Sequence, residues 1–208
     1  MATTTPAAPA RKNMGRYIGL GILGLLVIFC ISAYNGMVKS DETVNQKWND
    51  VESSYQRRLD LIDNLVNTVK GAADFEKSTL TEIVEARSKA TGITIDPANA
   101  TPEQLKAFTE AQNGVNSALS RLLVVVENYP NLTATQAYRD LMSSLEGTEN
   151  RINVARIDYN AAIKDYNTRI RRFPANIIAS ITGFEKRNGF TADEGANKAP
   201  KVDFSDNK

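Results

Sequence analysis

The stretch RIDYNAAIKDYNTRIRRFP, residues 156–174, contains Asp-Tyr-Asn twice, seven residues apart. Residues seven apart share one face of an α-helix, so this repeat predicts a helix whose aromatic side chains pack against neighbouring helices. The same spacing extends in both directions, and the full series is Tyr138, Leu145, Ile152, Tyr159, Tyr166 and Phe173. We interpret these side chains as a packed seam rather than as a ligand-binding code.

Three earlier segments show the same kind of periodicity. The first, predicted as a helix over residues 39–70, carries a second seam that includes Trp48, Tyr55 and Ile62. The others predict helices over 72–90 and 102–128, and the last helix begins near residue 133. Whether the first two helices are one bent helix through Gly71 stays open, because one interior glycine costs only about 1 kcal/mol. Short turns between four helices predict an antiparallel up-and-down four-helix bundle, so the fold class is all-α.

Residues 17–38 contain no charged side chain. At about 1.5 Å per residue the segment is roughly 33 Å long, which is enough to cross a bilayer as a helix. Arg11, Lys12 and Arg16 precede it, and positive charge beside a span stays on the cytoplasmic side. The alternative is a cleaved signal peptide, but its apolar core is normally only about 7 to 15 residues long. We favour a retained single-pass anchor with a cytoplasmic N-terminus.

These boundaries predict four regions. Residues 1–16 form a disordered cytoplasmic leader, 17–38 a transmembrane helix, 39–184 an exported four-helix bundle, and 185–208 a largely disordered tail.

Composition excludes several kinds of chemistry. The chain has no histidine and a single cysteine, Cys30, so imidazole metal sites, Cys-His pairs and internal disulfides are ruled out. The formal net charge of +1 does not favour nucleic acid as a partner. We therefore predict a protein that is not an enzyme, with no metal, no cofactor and no small-molecule substrate.

The end of the last helix combines basic and apolar residues. If three chain reversals follow the anchor, this end returns toward the membrane, where arginines can meet lipid phosphates and apolar side chains can enter the interface. The alternative is that the apolar residues cap the bundle as ordinary core. The predicted membrane-surface residues are Arg169, Arg171, Arg172, Ile177, Ile178, Ile181 and Phe184.

Four polar residues interrupt the seams: Arg58, Gln112, Glu149 and Arg156. They either form a polar layer that fixes the helix register or extend from the seam to solvent. We favour extension to solvent or local pairing, because buried charges are rare unless they are paired.

Several motifs together resemble the LemA family. They are YNGMV at 34–38, Trp48, RRLDLIDNLVNTVKG at 57–71, ENYP at 127–130, YN-x5-YN-x5-FP at 159–174 and GFEKRNGF at 183–190. The resemblance implies a bacterial protein with one N-terminal membrane helix and an exported helical bundle. Together with the predicted topology, this places the anchor in the inner membrane and the bundle in the periplasm or outside the cell. It implies no established enzymatic activity and supplies no catalytic residues.

The function predicted from these features is that of a membrane-anchored scaffold or adaptor at the cell envelope. Its expected partners are membrane lipid, other copies of the chain in a homo-oligomer, and envelope proteins. One alternative is an envelope sensor that works through a membrane partner. Another is a hydrolase that uses paired carboxylates, such as Glu146 with Glu149 or Asp158 with Asp165.

Overall fold

A computed structural model describes residues 14–71 and 76–191. Within those residues the regular structure is entirely helical, which confirms the predicted all-α class. The helices are α1 (Met14–Lys70), α2 (Lys77–Thr91), α3 (Pro102–Val126), α4 (Pro130–Thr133), α5 (Gln136–Arg171) and α6 (Ala175–Thr182).

Helix α1 joins the predicted membrane segment and the first predicted bundle helix without a break. It ends at Lys70, Gly71 is a turn residue, and α2 starts at Lys77, so α1 and α2 are separate helices. The start of α2 lies five residues after the predicted position of 72. Residues 72–75 are outside the described part of the chain.

Helix α3 begins where its sequence signals predict. Thr101 accepts a hydrogen bond from the backbone N–H of Gln104 at 3.2 Å, and the Gln104 side chain accepts one from the N–H of Thr101 at 3.0 Å. This reciprocal capping satisfies two N–H groups that a helix start leaves unpaired, and Pro102 supplies no N–H at the first helical position. The cap therefore fixes the entry into α3.

The chain divides into two compact units. The first consists of α1 up to Thr43 together with Asp165–Lys186, and the second of Val44–Lys164 together with the segment from Arg187 onward. Helices α1 and α5 each contribute to both units.

In the second unit α1 and α5 run in opposite directions. Lys47 pairs with Asp158 at 3.1 Å, and Arg58 pairs with Glu149 at 3.2 Å. Residue numbers along α5 therefore fall as those along α1 rise, which is the pairing of antiparallel helices.

Helices α1 and α3 run in the same direction. The Trp48 and Phe108 rings have centroids 5.7 Å apart, and Arg58 donates a hydrogen bond to Asn116 at 2.7 Å. Residue numbers rise together along both helices.

Helix α2 packs beside α1 and α3. Arg87 on α2 pairs with Asp63 on α1 at 2.7 Å, and Arg121 on α3 pairs with Glu82 on α2. The apolar core of this unit draws side chains from every helix in it; its most buried members include Leu59, Ile62, Leu65, Val69, Ile83, Val115, Leu122, Val126 and Leu145.

Most seam residues are buried, but the last is not. The buried ones are Trp48, Tyr55, Ile62, Leu145, Ile152, Tyr159 and Tyr166, and Tyr138 is partly buried against the core. Phe173 is 77% exposed. Helix α5 ends at Arg171, and proline disfavours helical backbone at the residue before it, so Phe173 no longer shares the helix face. The predicted seam stops at Tyr166.

Candidate functional site

The end of α5, helix α6 and residues 183–186 form a corner within the first unit. Arg169 and Arg171 lie in the last turn of α5, where a positive charge interacts favourably with the helix dipole. Helix α6 ends at Thr182, and the next residue, Gly183, has a left-handed φ of 79°, which suits glycine. The turn lets Phe184 donate its N–H to the carbonyl of Ala179 at 3.0 Å. Phe184 is thereby directed back beside α6.

Phe184 ties this corner to the end of the apolar part of α1. Its ring centroid lies 5.8 Å from that of Tyr34 and 6.5 Å from that of Tyr166. The Tyr166 hydroxyl donates a hydrogen bond to the carbonyl of Glu185 at 2.9 Å. Since Tyr34 lies near the end of the uncharged segment 17–38, the corner packs against α1 where that segment ends.

The apolar residues of α6 divide into two sets. Ala179 is buried, and Ile178 and Phe184 are partly buried. Ile177 is 52% exposed and Ile181 is 80% exposed. These two isoleucines are four residues apart, so they lie on one face of α6, and exposed Phe173 precedes that face in the chain. The corner therefore packs as core on one side and presents an apolar surface on the other.

The three arginines also differ in their surroundings. All three side chains are exposed, but only Arg169 is close to another helix in the described residues. The guanidinium of Arg169 passes close over α1, because a Cβ placed on Gly36 would lie 2.6 Å from Arg169 Nη1. Glycine at position 36 thus permits the close approach, and Arg169 has a packing role that the other two arginines lack.

The first half of α1 exposes a continuous apolar surface. In the described part of the chain, α1 is the one helix that is long and apolar enough to cross a membrane. Its exposed apolar side chains include Ile18, Leu20, Ile22, Leu23, Leu25, Leu26, Ile28 and Ile31. From Gly15 onward, Met37 is the first fully buried residue along α1.

A buried polar layer crosses the second unit. Arg58 is 1% exposed and donates hydrogen bonds to Asn116, to Gln112 and, at 3.2 Å, to half-exposed Glu149. Burial lowers the pKa of Arg58, and the Glu149 carboxylate opposes that shift. Of the two expectations favoured for the polar seam residues, Arg58 follows pairing and not extension to solvent: its guanidinium is paired inside the second unit. Three of its five N–H groups point to partners on two other helices, which ties α1 to α3 and α5.

Three of the carboxylates considered for a hydrolase either form ion pairs within the fold or line an open groove. Glu146 and Glu149 line a groove of about 490 Å³ beside Arg58, and Glu149 is the ion-pair partner of that arginine. Asp158 pairs with Lys47. Hydrogen bonds from Lys47 to Asp158 and Asp50 raise the pKa of the lysine. Glu149 and Asp158 thus act as partners for cations in the fold.

A segment from the predicted tail completes the aromatic core of the second unit. The ring of Phe190 lies among those of Trp48, Phe108 and Tyr159, at centroid distances of 5.9, 6.3 and 5.6 Å. Arg156 places its guanidinium carbon 4.7 Å from the centre of the Phe190 ring. The packed part of the chain thus extends at least to Phe190, beyond the boundary predicted at residue 184, and residues 192–208 lie outside the described part.

The hydroxyl of Tyr159 is buried in this cluster and has no hydrogen-bond partner among the described residues. Burial raises the pKa of Tyr159 to about 12. Because the folded pKa lies above the unfolded value of about 10, stability is retained below pH 10 and is lost as the pH rises toward 12. The full loss is about 3 kcal/mol, from about 1.4 kcal/mol per pH unit.

We therefore expect Tyr159→Phe to leave the stability at pH 7 unchanged or raise it by up to about 1 kcal/mol, since it removes an unpaired buried hydroxyl. Between pH 10 and 11.5 the variant should lose less stability than the parent chain. Chemical unfolding followed by helical circular dichroism at each pH measures both effects. A clear loss at pH 7 would show that the hydroxyl does have a partner.

The described residues thus define an all-α protein in which α1 is long and apolar enough to cross a membrane. They also form a packed helical core and an exposed apolar corner where the uncharged segment ends. The chain belongs to the LemA family, whose sequence pattern matches residues 47–204.

Named relatives agree with this assignment. The chain is 32% identical over 206 residues to magnetosome protein MamQ 2 of Paramagnetospirillum magneticum, covering 88% of this chain and 75% of that protein. It is 29% identical over 199 residues to magnetosome protein MamQ of Magnetospirillum gryphiswaldense, covering 84% and 73%. Protein LemA of Metamycoplasma hominis is 22% identical over 157 residues, covering 76% and 68%. The resemblance drawn from the sequence motifs is confirmed.

Proposed function

We propose that this protein is a membrane-anchored, non-enzymatic scaffold or adaptor of the bacterial cell envelope. The apolar part of α1 spans the inner membrane with its N-terminus in the cytoplasm, and the helical units are exported. The arginines before the span support this orientation, since positive charge near a span stays inside. Self-association and contacts with envelope proteins and lipid carry the function.

One observation carries the proposal: the α6 corner is apolar on its outer face and packs through Phe184 on Tyr34. A helix that leaves the bilayer near Tyr34 brings this face to the outer membrane–water interface. Transfer of Ile177 and Ile181 from water then contributes up to about 1.5–3 kcal/mol each. An anionic surface adds about 1 kcal/mol for each nearby arginine, and Arg171 and Arg172 are exposed. The first unit thereby touches the membrane twice, through α1 and through α6.

The charge contribution is tested with Arg171→Glu/Arg172→Glu in the full chain. An environment-sensitive dye on Ser180→Cys, in a Cys30→Ser background, reports the surroundings of α6 in vesicles. We expect a blue shift when anionic lipid is added, and we expect the double charge reversal to abolish it. Arg151→Glu, also exposed but in the second unit, is the matched control and should retain the shift.

An identical lipid response in the parent chain and the double variant would contradict the electrostatic contact. Loss of the shift in the Arg151→Glu control as well would mean that net charge, rather than this corner, controls binding.

A further inference from the structure

Residues 187–190, here called the Gly-Phe segment, lie in the second unit without helical or strand structure. Side chains from three helices hold them: Trp48 on α1, Phe108 on α3, and Arg156, Tyr159 and Asn160 on α5. We call these five residues the aromatic cradle. The segment is thus enclosed by side chains that come from three helices.

The cradle recognises the backbone of the segment as well as its aromatic ring. The Asn160 side chain donates a hydrogen bond to the carbonyl of Phe190 at 3.0 Å and accepts one from its N–H at 2.9 Å. A single amide side chain therefore satisfies both backbone groups of one residue. This pairing requires extended backbone in a fixed register, a common basis of peptide recognition.

The residues before Phe190 add selectivity. A Cβ on Gly189 would lie 2.5 Å from Asn160 Oδ1, so a larger residue displaces the amide that holds Phe190. Asn188 donates a hydrogen bond to the carbonyl of Ala100 at 3.0 Å, and Arg187 donates one to Asn45 at 2.6 Å. The site therefore selects glycine at position 189 because there is no room for a side chain. The surrounding aromatic rings select phenylalanine at position 190, and polar contacts hold the two preceding residues.

We propose that the aromatic cradle is a peptide-binding site for an extended Asn-Gly-Phe segment, filled here by the chain's own residues and able to accept the same segment from a second copy. We take a second copy of the chain as the occupant because it carries the same Gly-Phe segment that fills the cradle in this structure. Exchange of an identical element between copies forms an interface without any new contact chemistry. The proposal deepens the self-association in the proposed function by naming the site and the ligand.

The site is tested in the full chain with Phe190→Ala, which empties the cradle. Trp48 is the only tryptophan, and its ring stacks on Phe190, so its fluorescence reports occupancy. We expect the emission of Phe190→Ala to shift to the red. A synthetic peptide with the sequence of residues 183–193 should reverse the shift and bind at least 10-fold more tightly than a peptide with alanine in place of Phe190. The parent chain, already filled, should not respond.

Gly189→Ala is the second variant, in case the loss of the ring unfolds the chain. It leaves the amino acids of the cradle unchanged, and the clash of its Cβ with the Asn160 amide breaks the hydrogen bonds that hold Phe190. The same peptide should bind it. Equal binding of both peptides, or no binding to variants that retain their helical circular dichroism, would overturn the site.

Exchange between copies is tested by mixing two chains in detergent, without any membrane contact. One is Phe190→Ala, with an empty cradle; the other is Trp48→Phe/Asn160→Ala, which has an intact segment, a weakened cradle and no tryptophan. We expect the red-shifted emission to recover on mixing, together with a dimer in light scattering. Peptide binding without recovery on mixing would overturn the second copy as occupant, whatever the vesicle experiments on the α6 corner give.

Discussion

Replacement of Arg58 by methionine is expected to destabilise the second unit by about 3 kcal/mol, the lower end of the cost of breaking a buried pair. The lower end applies because Glu149 is half-exposed and can be hydrated when its partner is lost. The main cost falls on Gln112, which is 3% exposed and loses its hydrogen bond from Arg58. A buried polar group without a partner costs about 1–3 kcal/mol.

The thermal midpoint of the full chain in detergent measures this effect. For a chain of this size, 1 kcal/mol corresponds to about 2–4 °C, so the midpoint should fall by roughly 6–12 °C. Arg57→Met is the matched control: Arg57 is the adjacent arginine on α1, but it is exposed, and we expect a change of less than about 0.5 kcal/mol. A chain with Arg58→Met that is as stable as the parent would show that the polar layer is not required for stability.

The second large effect is expected for Trp48→Ala. Trp48 is 3% exposed and contacts Phe108, Tyr159 and Phe190, so truncation leaves a cavity among three rings. Loss of a buried tryptophan costs about 3–5 kcal/mol, and the cavity also removes the stacking surface of Phe190. We therefore expect lower stability together with release of the Gly-Phe segment.

Limited proteolysis with trypsin separates release of the Gly-Phe segment from a general loss of stability. Arg187 is buried in the parent chain, and cleavage after it requires the segment to leave the cradle. Under conditions where Trp48→Ala remains helical, cleavage after Arg187 should be faster than in the parent chain. Trp48→Phe keeps an aromatic ring and is the control. Protection equal to that of the parent would mean that the segment is held without the tryptophan.

The helical class followed from the sequence because its signals are local. Seven-residue spacing identified the buried faces of α1 and α5, and the capping residues at Thr101 and Gln104 marked the start of α3. The seven-residue spacing gave a wrong prediction at Phe173. The spacing continues in the sequence to residue 173, but the helix ends at Arg171. Pro174, directly after Phe173, was the signal available in the sequence.

The polar layer around Arg58 and the position of the Gly-Phe segment were predicted less completely, because their contacts join distant parts of the chain. The burial of Arg58 depends on partners 54, 58 and 91 residues away, and no local pattern reveals that they meet. The Gly-Phe segment was missed for a related reason. It has no periodicity, and its polar composition resembles that of a tail. Its fixed position depends on contacts with the aromatic cradle, whose residues are distant in the sequence. The motif GFEKRNGF was the one sequence signal that pointed to it.

The most direct test of the account is the depth of the α6 face in the bilayer. Spin labels are placed singly at Ile177, Ile181 and, as a control, the exposed polar Asn176, in a full chain with Cys30→Ser reconstituted into anionic vesicles. At 100° per residue, Asn176 lies well away from the isoleucine face. Collisions with oxygen, which concentrates in the bilayer, should dominate for the labels at 177 and 181, and collisions with a water-soluble nickel complex should dominate at 176. If all three labels instead meet the nickel complex equally, α6 lies in water and the second membrane contact does not exist.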